Sequence, residues 1–242
     1  MNNDILINKI ISTETVADSV FEKYGRIYTF LNPVSYLDAV KHQELYAQMD
    51  GIFADGTMVV KAIRLLYHKR VEKREFDMSS MARKLFEFAT ERGKTVYIVA
   101  SKQEEIEKAI EKLKNKFPSL RILGFRSGYF RDSQEIDVTI KKVISLSPDY
   151  LIVGMGVVKQ EEFLLMAKKA GYQGIGFTCG AFITQTANFA AEIDFFPDWA
   201  VRYNLRFMYR LYKEPHTRKR YLKAGFLFPY RFLCNKFGIR CI

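Results

Sequence analysis

The chain alternates short, nearly unbroken apolar runs with longer stretches of helical period. Gly51-Ile52-Phe53-Ala54, Thr95-Val96-Tyr97-Ile98-Val99-Ala100, Arg121-Ile122-Leu123, Tyr150-Leu151-Ile152-Val153 and Gly174-Ile175-Gly176-Phe177 read as strands. The stretch after Asp55-Gly56, then Ser79–Glu91, Lys102–Lys116, Glu135–Ser147 and Glu161–Ala170 read as helices, with Ser79 or Ser80 able to cap the second. A strand that is apolar at successive positions is covered on both faces, and a helix between strands is the crossover that parallel strands need. The expected fold is therefore α/β: a Rossmann-like, mostly parallel sheet with helices on both faces. The chain shows no internal repeat.

Open parallel sheets bind ligands beyond the C-terminal ends of their strands. That rule singles out Asp55-Gly56, Ala100-Ser101, Gly154 to Gln160 and Thr178-Cys179-Gly180. Asp55 is a strand-tip carboxylate, suited to a general base or to holding a sugar hydroxyl, although the local sequence alone favours a helix cap. Asp77, just before the Ser79–Glu91 helix, can bind ligand hydroxyls or cap that helix. Gly154-Met155-Gly156-Val157-Val158-Lys159-Gln160-Glu161 joins a strand to a helix N-terminus, a geometry that holds anions and nucleotides. It carries neither the dinucleotide fingerprint nor a Walker P-loop. Lys159, Gln160 and Glu161 can meet a base or ribose there, or simply form a polar first turn. His42, His68 and His216 share no metal-ligand spacing, and no catalytic triad is evident. Neither a metal nor a cofactor is expected.

Charge divides the chain. Residues 1–200 hold 27 Lys and Arg against 26 Asp and Glu, while residues 201–242 hold 11 against the single acid Glu214. The same 42 residues carry ten Phe and Tyr. The expectation is a near-neutral α/β body over 1–200 and a basic, aromatic-rich, helical appendage over 201–242. Asp198–Tyr212 reads as a helix that Glu214-Pro215 breaks. Phe226–Phe237 is too short and too charged to span a bilayer and suits a membrane interface. It equally suits a packed helix, a dimer contact or single-stranded nucleic acid, though no nucleic-acid signature accompanies it. Arg206, Arg210, Arg218 and Arg220 can grip a diphosphate or lipid headgroups. The N-terminus lacks the pattern of a signal peptide, and Cys179, Cys234 and Cys241 read as three reduced thiols. The chain is expected in the cytoplasm, touching the membrane from that side.

Several segments together resemble the WecG/TagA/CpsF family of bacterial glycosyltransferases. They are Phe30-Leu31-Asn32-Pro33-Val34-Ser35-Tyr36, Ala54-Asp55-Gly56, Phe76-Asp77-Met78-Ser79-Ser80, Gly128-Tyr129-Phe130, Gly154 to Glu161, and Tyr209-Arg210-Leu211 with Glu214-Pro215 and Arg218-Lys219-Arg220-Tyr221. The Asn-Pro-x-Ser-Tyr and Phe-Asp spellings lean toward the UDP-N-acetyl-D-mannosaminuronic acid transferase branch. The resemblance implies an inverting, metal-independent enzyme. It would move an N-acetylmannosamine- or N-acetylmannosaminuronate-type sugar from a UDP-sugar to an undecaprenyl-diphosphate-linked saccharide in cell-surface polysaccharide synthesis. It assigns Asp55 as base, Asn32 to the sugar pocket, Gln160 and Glu161 to the nucleotide side, and Arg210, Arg218 and Arg220 to the diphosphate. It places the enzyme at the inner face of the cytoplasmic membrane, held there by the appendage, and a homo-oligomer is compatible with it. Arg206 and Val158 depart from the family pattern, which has glutamate and proline there. The rival readings are a nucleic-acid-binding protein with a basic tail and an inactive scaffold of the same fold.

Overall fold

The computed structural model describes residues 4–188, 195–203 and 205–239; of His216 only the backbone is described. Six strands form one sheet: β1 (Ile27–Leu31), β2 (Gly51–Ala54), β3 (Thr95–Ala100), β4 (Arg121–Arg126), β5 (Tyr150–Gly154) and β6 (Ile175–Thr178). Their spatial order is β2-β1-β6-β5-β3-β4, and every pairing is parallel. The helices are α1 (Ile5–Glu14), α2 (Pro33–Ala39), α3 (Gln43–Ala47), α4 (Thr57–Tyr67), α5 (Met81–Glu91), α6 (Gln103–Lys116), α7 (Ser133–Leu146), α8 (Lys159–Lys169), α9 (Phe182–Asn188), α10 (Asp198–Arg202), α11 (Arg206–Lys213) and α12 (Arg218–Phe237).

The continuous apolar strands are explained by two covered faces. Successive side chains point to opposite sides, so Val96, Ile98, Ile152 and Phe177 pack with Leu85 and Phe86 of α5, Ile106 and Ile110 of α6, and Phe182 of α9. Tyr97, Val99, Leu151 and Val153 meet Ile140 and Val143 of α7 and Phe163 and Leu164 of α8 on the other side. Toward the β2 edge, Leu31, Ile52 and Ala54 are covered by α1, α2 and α4 together with Phe228 and Phe232 of α12. The aromatic C-terminal segment thus sends one face into the core. Asn235 also donates to the Tyr36 hydroxyl at 2.9 Å.

Three local expectations are corrected. The helix expected over Asp198–Tyr212 is two: α10 ends at Arg202, where the Leu205 N–H folds back to the Ala200 carbonyl, and α11 starts at Arg206. Ser80 occupies the cap position of α5, but its hydroxyl accepts from the Glu75 N–H and not from the helix. Cys179 is free and buried, whereas Cys234 is disulfide-bonded. The chain beyond α12 turns back at Gly238 (φ 65°), bringing the Ile239 N–H onto the Cys234 carbonyl. Cys241 lies outside the described residues. No helix among the described residues is long and apolar enough to cross a membrane.

Candidate active site

Parallel register puts every strand-tip loop on one edge of the sheet. Leu31 pairs with Ala54, so the next residues, Asn32 and Asp55, stand side by side. Asn32 caps α2, with Pro33 in the first helical position and Oδ1 accepting from the N–H groups of Val34 and Ser35, each at 3.0 Å. With that oxygen committed to the cap, Nδ2 turns outward and donates to Oδ2 of Asp55 at 3.2 Å. Asp55 does not cap α4, whose cap position is Gly56 at φ 89°. Its carboxylate is therefore not committed to that helix.

The segment after α4 runs along the end of β2, its Arg74 N–H bonding the Ala54 carbonyl at 2.9 Å. It brings Lys73, Glu75 and Asp77 to the same place. Asp77 Oδ1 accepts from the N–H and hydroxyl of Ser79, which makes the tight turn before α5. Its Oδ2 faces Arg206 Nη1 at 3.3 Å, and Glu75 pairs with the same guanidinium. One turn along α11, Arg210 Nε donates to Glu214 at 2.8 Å. Its guanidinium lies 5.5 Å from the centre of the Tyr221 ring. Gln185 of α9 holds the other Glu214 oxygen at 3.3 Å.

Burial pushes the Asp55 carboxyl up to about 6, aided by the Asp77 charge and opposed by the Asn32 hydrogen bond and the positive charges of Arg210 and Lys73. A carboxylate so placed takes a proton near neutrality. Burial also lowers Lys73, with the Arg206 charge adding to it. The space beside Asp77, bounded by Phe182, Gln185, Phe195 and Phe196, is about 10 Å³, room for one water. A larger cavity of about 490 Å³ lies beside β4, the outer strand farthest from β2, between β4 and α7, among Phe125, Arg126, Val138 and Lys142.

The expected nucleotide loop lies farther along the same edge. Gly154 ends β5 in close packing, where a Cβ would come within 2.6 Å of Cys179 Sγ. Gly156 (φ 86°) is exposed with open space around it. Val158 sits at φ 75°, ψ −56°, a strained γ-turn conformation for a β-branched residue. Glu161 holds it there, its Oε2 accepting from the Val158 N–H at 2.7 Å. Its Oε1 accepts from Thr29 Oγ1 at 2.6 Å and from Gln160 Nε2 at 3.0 Å, and Thr29 contacts Thr178 Oγ1 at 2.9 Å. Glu161 is fully buried, and that burial raises its carboxyl. It therefore knits β1, β6 and α8 together beneath the loop. Gln160 is buried with Oε1 unpartnered, and Lys159 is exposed.

The structure thus gathers Asn32, Asp55, Asp77 and Arg210, and separately Gly154, Gly156, Gln160 and Glu161. Three strand spacings, about 14 Å, separate Asp55 from Gly154. Arg218 and Arg220 are exposed, and the Arg218 Nε donates to the Leu211 carbonyl at 2.8 Å. Lys73, Glu75, Glu214 and Tyr221 join the site without having been singled out. Of these, only the Arg210–Glu214 spacing of four residues on a helix signalled a contact. Among the described residues no group of three His, Cys, Asp or Glu side chains could hold a metal ion.

The chain is 34% identical over 215 residues to a UDP-Gal:alpha-D-GlcNAc-diphosphoundecaprenol beta-1,4-galactosyltransferase of Shigella boydii, covering 89% of this chain and 85% of that one. It is 26% identical over 208 residues to an N-acetylglucosaminyldiphosphoundecaprenol N-acetyl-beta-D-mannosaminyltransferase of Bacillus subtilis, covering 83% and 77%. A Staphylococcus aureus protein of the latter name is 30% identical over 137 residues, covering 55% and 52%. The sequence model of the glycosyl transferase WecG/TagA/CpsF family matches residues 6–241, and the chain belongs to that family.

Proposed function

We propose that the chain transfers a sugar, with inversion, from a UDP-sugar to an N-acetylglucosamine unit carried on an undecaprenyl diphosphate. The observation that carries this reading is Asp55: a strand-tip carboxylate aimed by Asn32, raised to about 6 by burial, and set near Arg210. The donor would lie along the C-terminal edge, its nucleotide over Gly154–Gln160 and its sugar toward Asn32, Asp55 and Asp77. The acceptor hydroxyl oxygen attacks the anomeric carbon as Asp55 takes its proton. The new glycosidic bond forms as the bond to the UDP oxygen breaks on the opposite face. Arg210 offsets charge on the departing diphosphate, with Arg218 and Arg220 joining it when substrate draws them in. The 10 Å³ space beside Asp77 is far smaller than a hexose. Entry there requires the Phe195 and Phe196 side of that space to give way.

The residue 201–242 appendage would meet the membrane. Opposite its buried Phe228 and Phe232, α12 exposes Leu222, Phe226, Tyr230, Leu233 and Phe237 at three- and four-residue spacing. The exposed Lys219 and Lys223 continue that face. Aromatic side chains edged by lysines suit an anionic bilayer surface, each basic residue adding about 1 kcal/mol. On this reading the protein works at the inner face of the cytoplasmic membrane, with no nucleic acid as partner.

The test is a transfer assay with the full chain and a short-chain lipid diphosphate carrying N-acetylglucosamine. The donors are UDP-galactose, UDP-N-acetylmannosamine and UDP-N-acetylmannosaminuronic acid. One donor should give a product whose new linkage is inverted by NMR. No transfer from any donor, or retention, would overturn the proposal.

A further inference from the structure

Arg206 opens α11 with its side chain 11% exposed, between two carboxylates, Glu75 and Asp77, that are 14% and 13% exposed. Both acids come from the segment that runs beside Asp55. Lys73 of that segment stands 3.6 Å from Glu75. Residues four apart on a helix share a face, so Arg206 and Arg210 stand on the same side of α11. Arg206 is within electrostatic reach of Asp55, as Arg210 is. Arg206 Nε is buried without a hydrogen-bond partner, so the side chain is held by its ion pairs and by the Phe196 ring 5.6 Å away.

We propose that Arg206 is a positioning residue of the transfer site: by bridging Glu75 and Asp77 it pins α11 so that Arg210 stands beside Asp55, and it offsets the Asp77 charge that faces the base. The proposal rests on Asp55 being the base. The groups facing Asp55 are Asn32 at the end of β1, Lys73 and Asp77 from the segment before α5, Arg206 and Arg210 from α11, and Tyr221 from α12. Glu75 and Glu214 act at one remove, through Arg206 and Arg210. The cluster holds four carboxylates (Asp55, Glu75, Asp77 and Glu214) against three cations (Lys73, Arg206 and Arg210). Taking away Arg206 leaves four against two, and the base becomes harder to ionise.

The test is the pH dependence of kcat/KM, which reports the free enzyme's base. Activity needs Asp55 ionised, so its acidic limb follows the Asp55 pKa. Arg206→Met should move that limb to higher pH by about one unit. Arg206→Lys should recover most of the position, since it keeps the charge but loses the fork. Glu75→Gln, which keeps Arg206 and removes an acid, should move the limb down. Should Arg206→Met fail to fold, the Arg206→Lys and Glu75→Gln pair still decides. A limb that stays in place in Glu75→Gln, or in a folded Arg206→Met of reduced kcat, overturns the proposal.

A substrate-free readout separates this from the function itself. The Asp55 carboxyl carbon, titrated by NMR in the parent and in each variant, should shift in parallel with the limb. Transfer in the parent without that shift refutes the role of Arg206. The shift without transfer refutes the proposed function and leaves the role of Arg206 standing.

Discussion

Phe228→Ala asks whether α12 belongs to the cooperative body. Phe228 is 1% exposed, 5.2 Å from the Tyr36 ring and 5.2 Å from the Phe232 ring, in a cluster with Leu6, Leu31 and Ile52. Emptying such a site costs about 3–5 kcal/mol, the lost transfer energy plus the cavity left behind. In a chain of this size each kcal/mol moves Tm by roughly 2–4 °C. The expected fall is therefore about 6–20 °C in a single transition by scanning calorimetry. Phe226→Ala, two residues earlier on the same helix and 80% exposed, is the internal control and should stay within about 0.5 kcal/mol of the parent. If both variants melt with the parent, α12 is an independent arm, and packing of its inner face is not what holds Tyr221 beside Arg210.

Three other outcomes are expected. Asp55→Asn should stabilise the protein while disabling it. A carboxyl raised in the folded state binds more protons there than when unfolded, so its cost appears as pH rises from the unfolded value of 3.8 to about 6. The asparagine variant, free of that cost, should be more stable at pH 7 by about 1–3 kcal/mol and level with the parent below pH 4, by denaturant melts. Glu161→Ala leaves the Thr29 hydroxyl and the strained Val158 N–H without their acceptor, costing about 2–4 kcal/mol and raising the KM for donor; an unchanged melt would refute its structural role. Replacing Leu222 and Phe226 with serine should weaken sedimentation with anionic vesicles while leaving Tm alone, and equal vesicle binding would remove the membrane face from α12.

The layered fold was legible wherever strands were uniformly apolar, as in β3 and β5. β1 escaped because Thr29 interrupts its apolar run, and the structure shows why a central strand tolerates it: the hydroxyl meets Glu161 and Thr178 in a buried bonded set. α12 answers to the helical appendage expected there, with Pro229 inside it. The carbonyl that Pro229 leaves without a donor is that of Gly225, four residues earlier, which is exposed and so open to water. Asn32 and Asp55 could be suspected as strand-tip residues, but their contact depends on the Leu31–Ala54 register, which joins segments 23 residues apart. Glu161 was expected to face a nucleotide, and its carboxylate instead points inward. The Arg206 bridge spans 129 residues to Asp77. No local pattern encodes such a pairing.

The central claim is that Asp55 takes the acceptor proton. Asp55→Asn, assayed with the productive UDP-sugar and the N-acetylglucosamine lipid diphosphate at pH 7, measures it most directly, because asparagine can still accept the Asn32 hydrogen bond while losing the base. The account predicts a fall in kcat of roughly 10²–10⁴-fold with the fold intact. Turnover within a few-fold of the parent would contradict it.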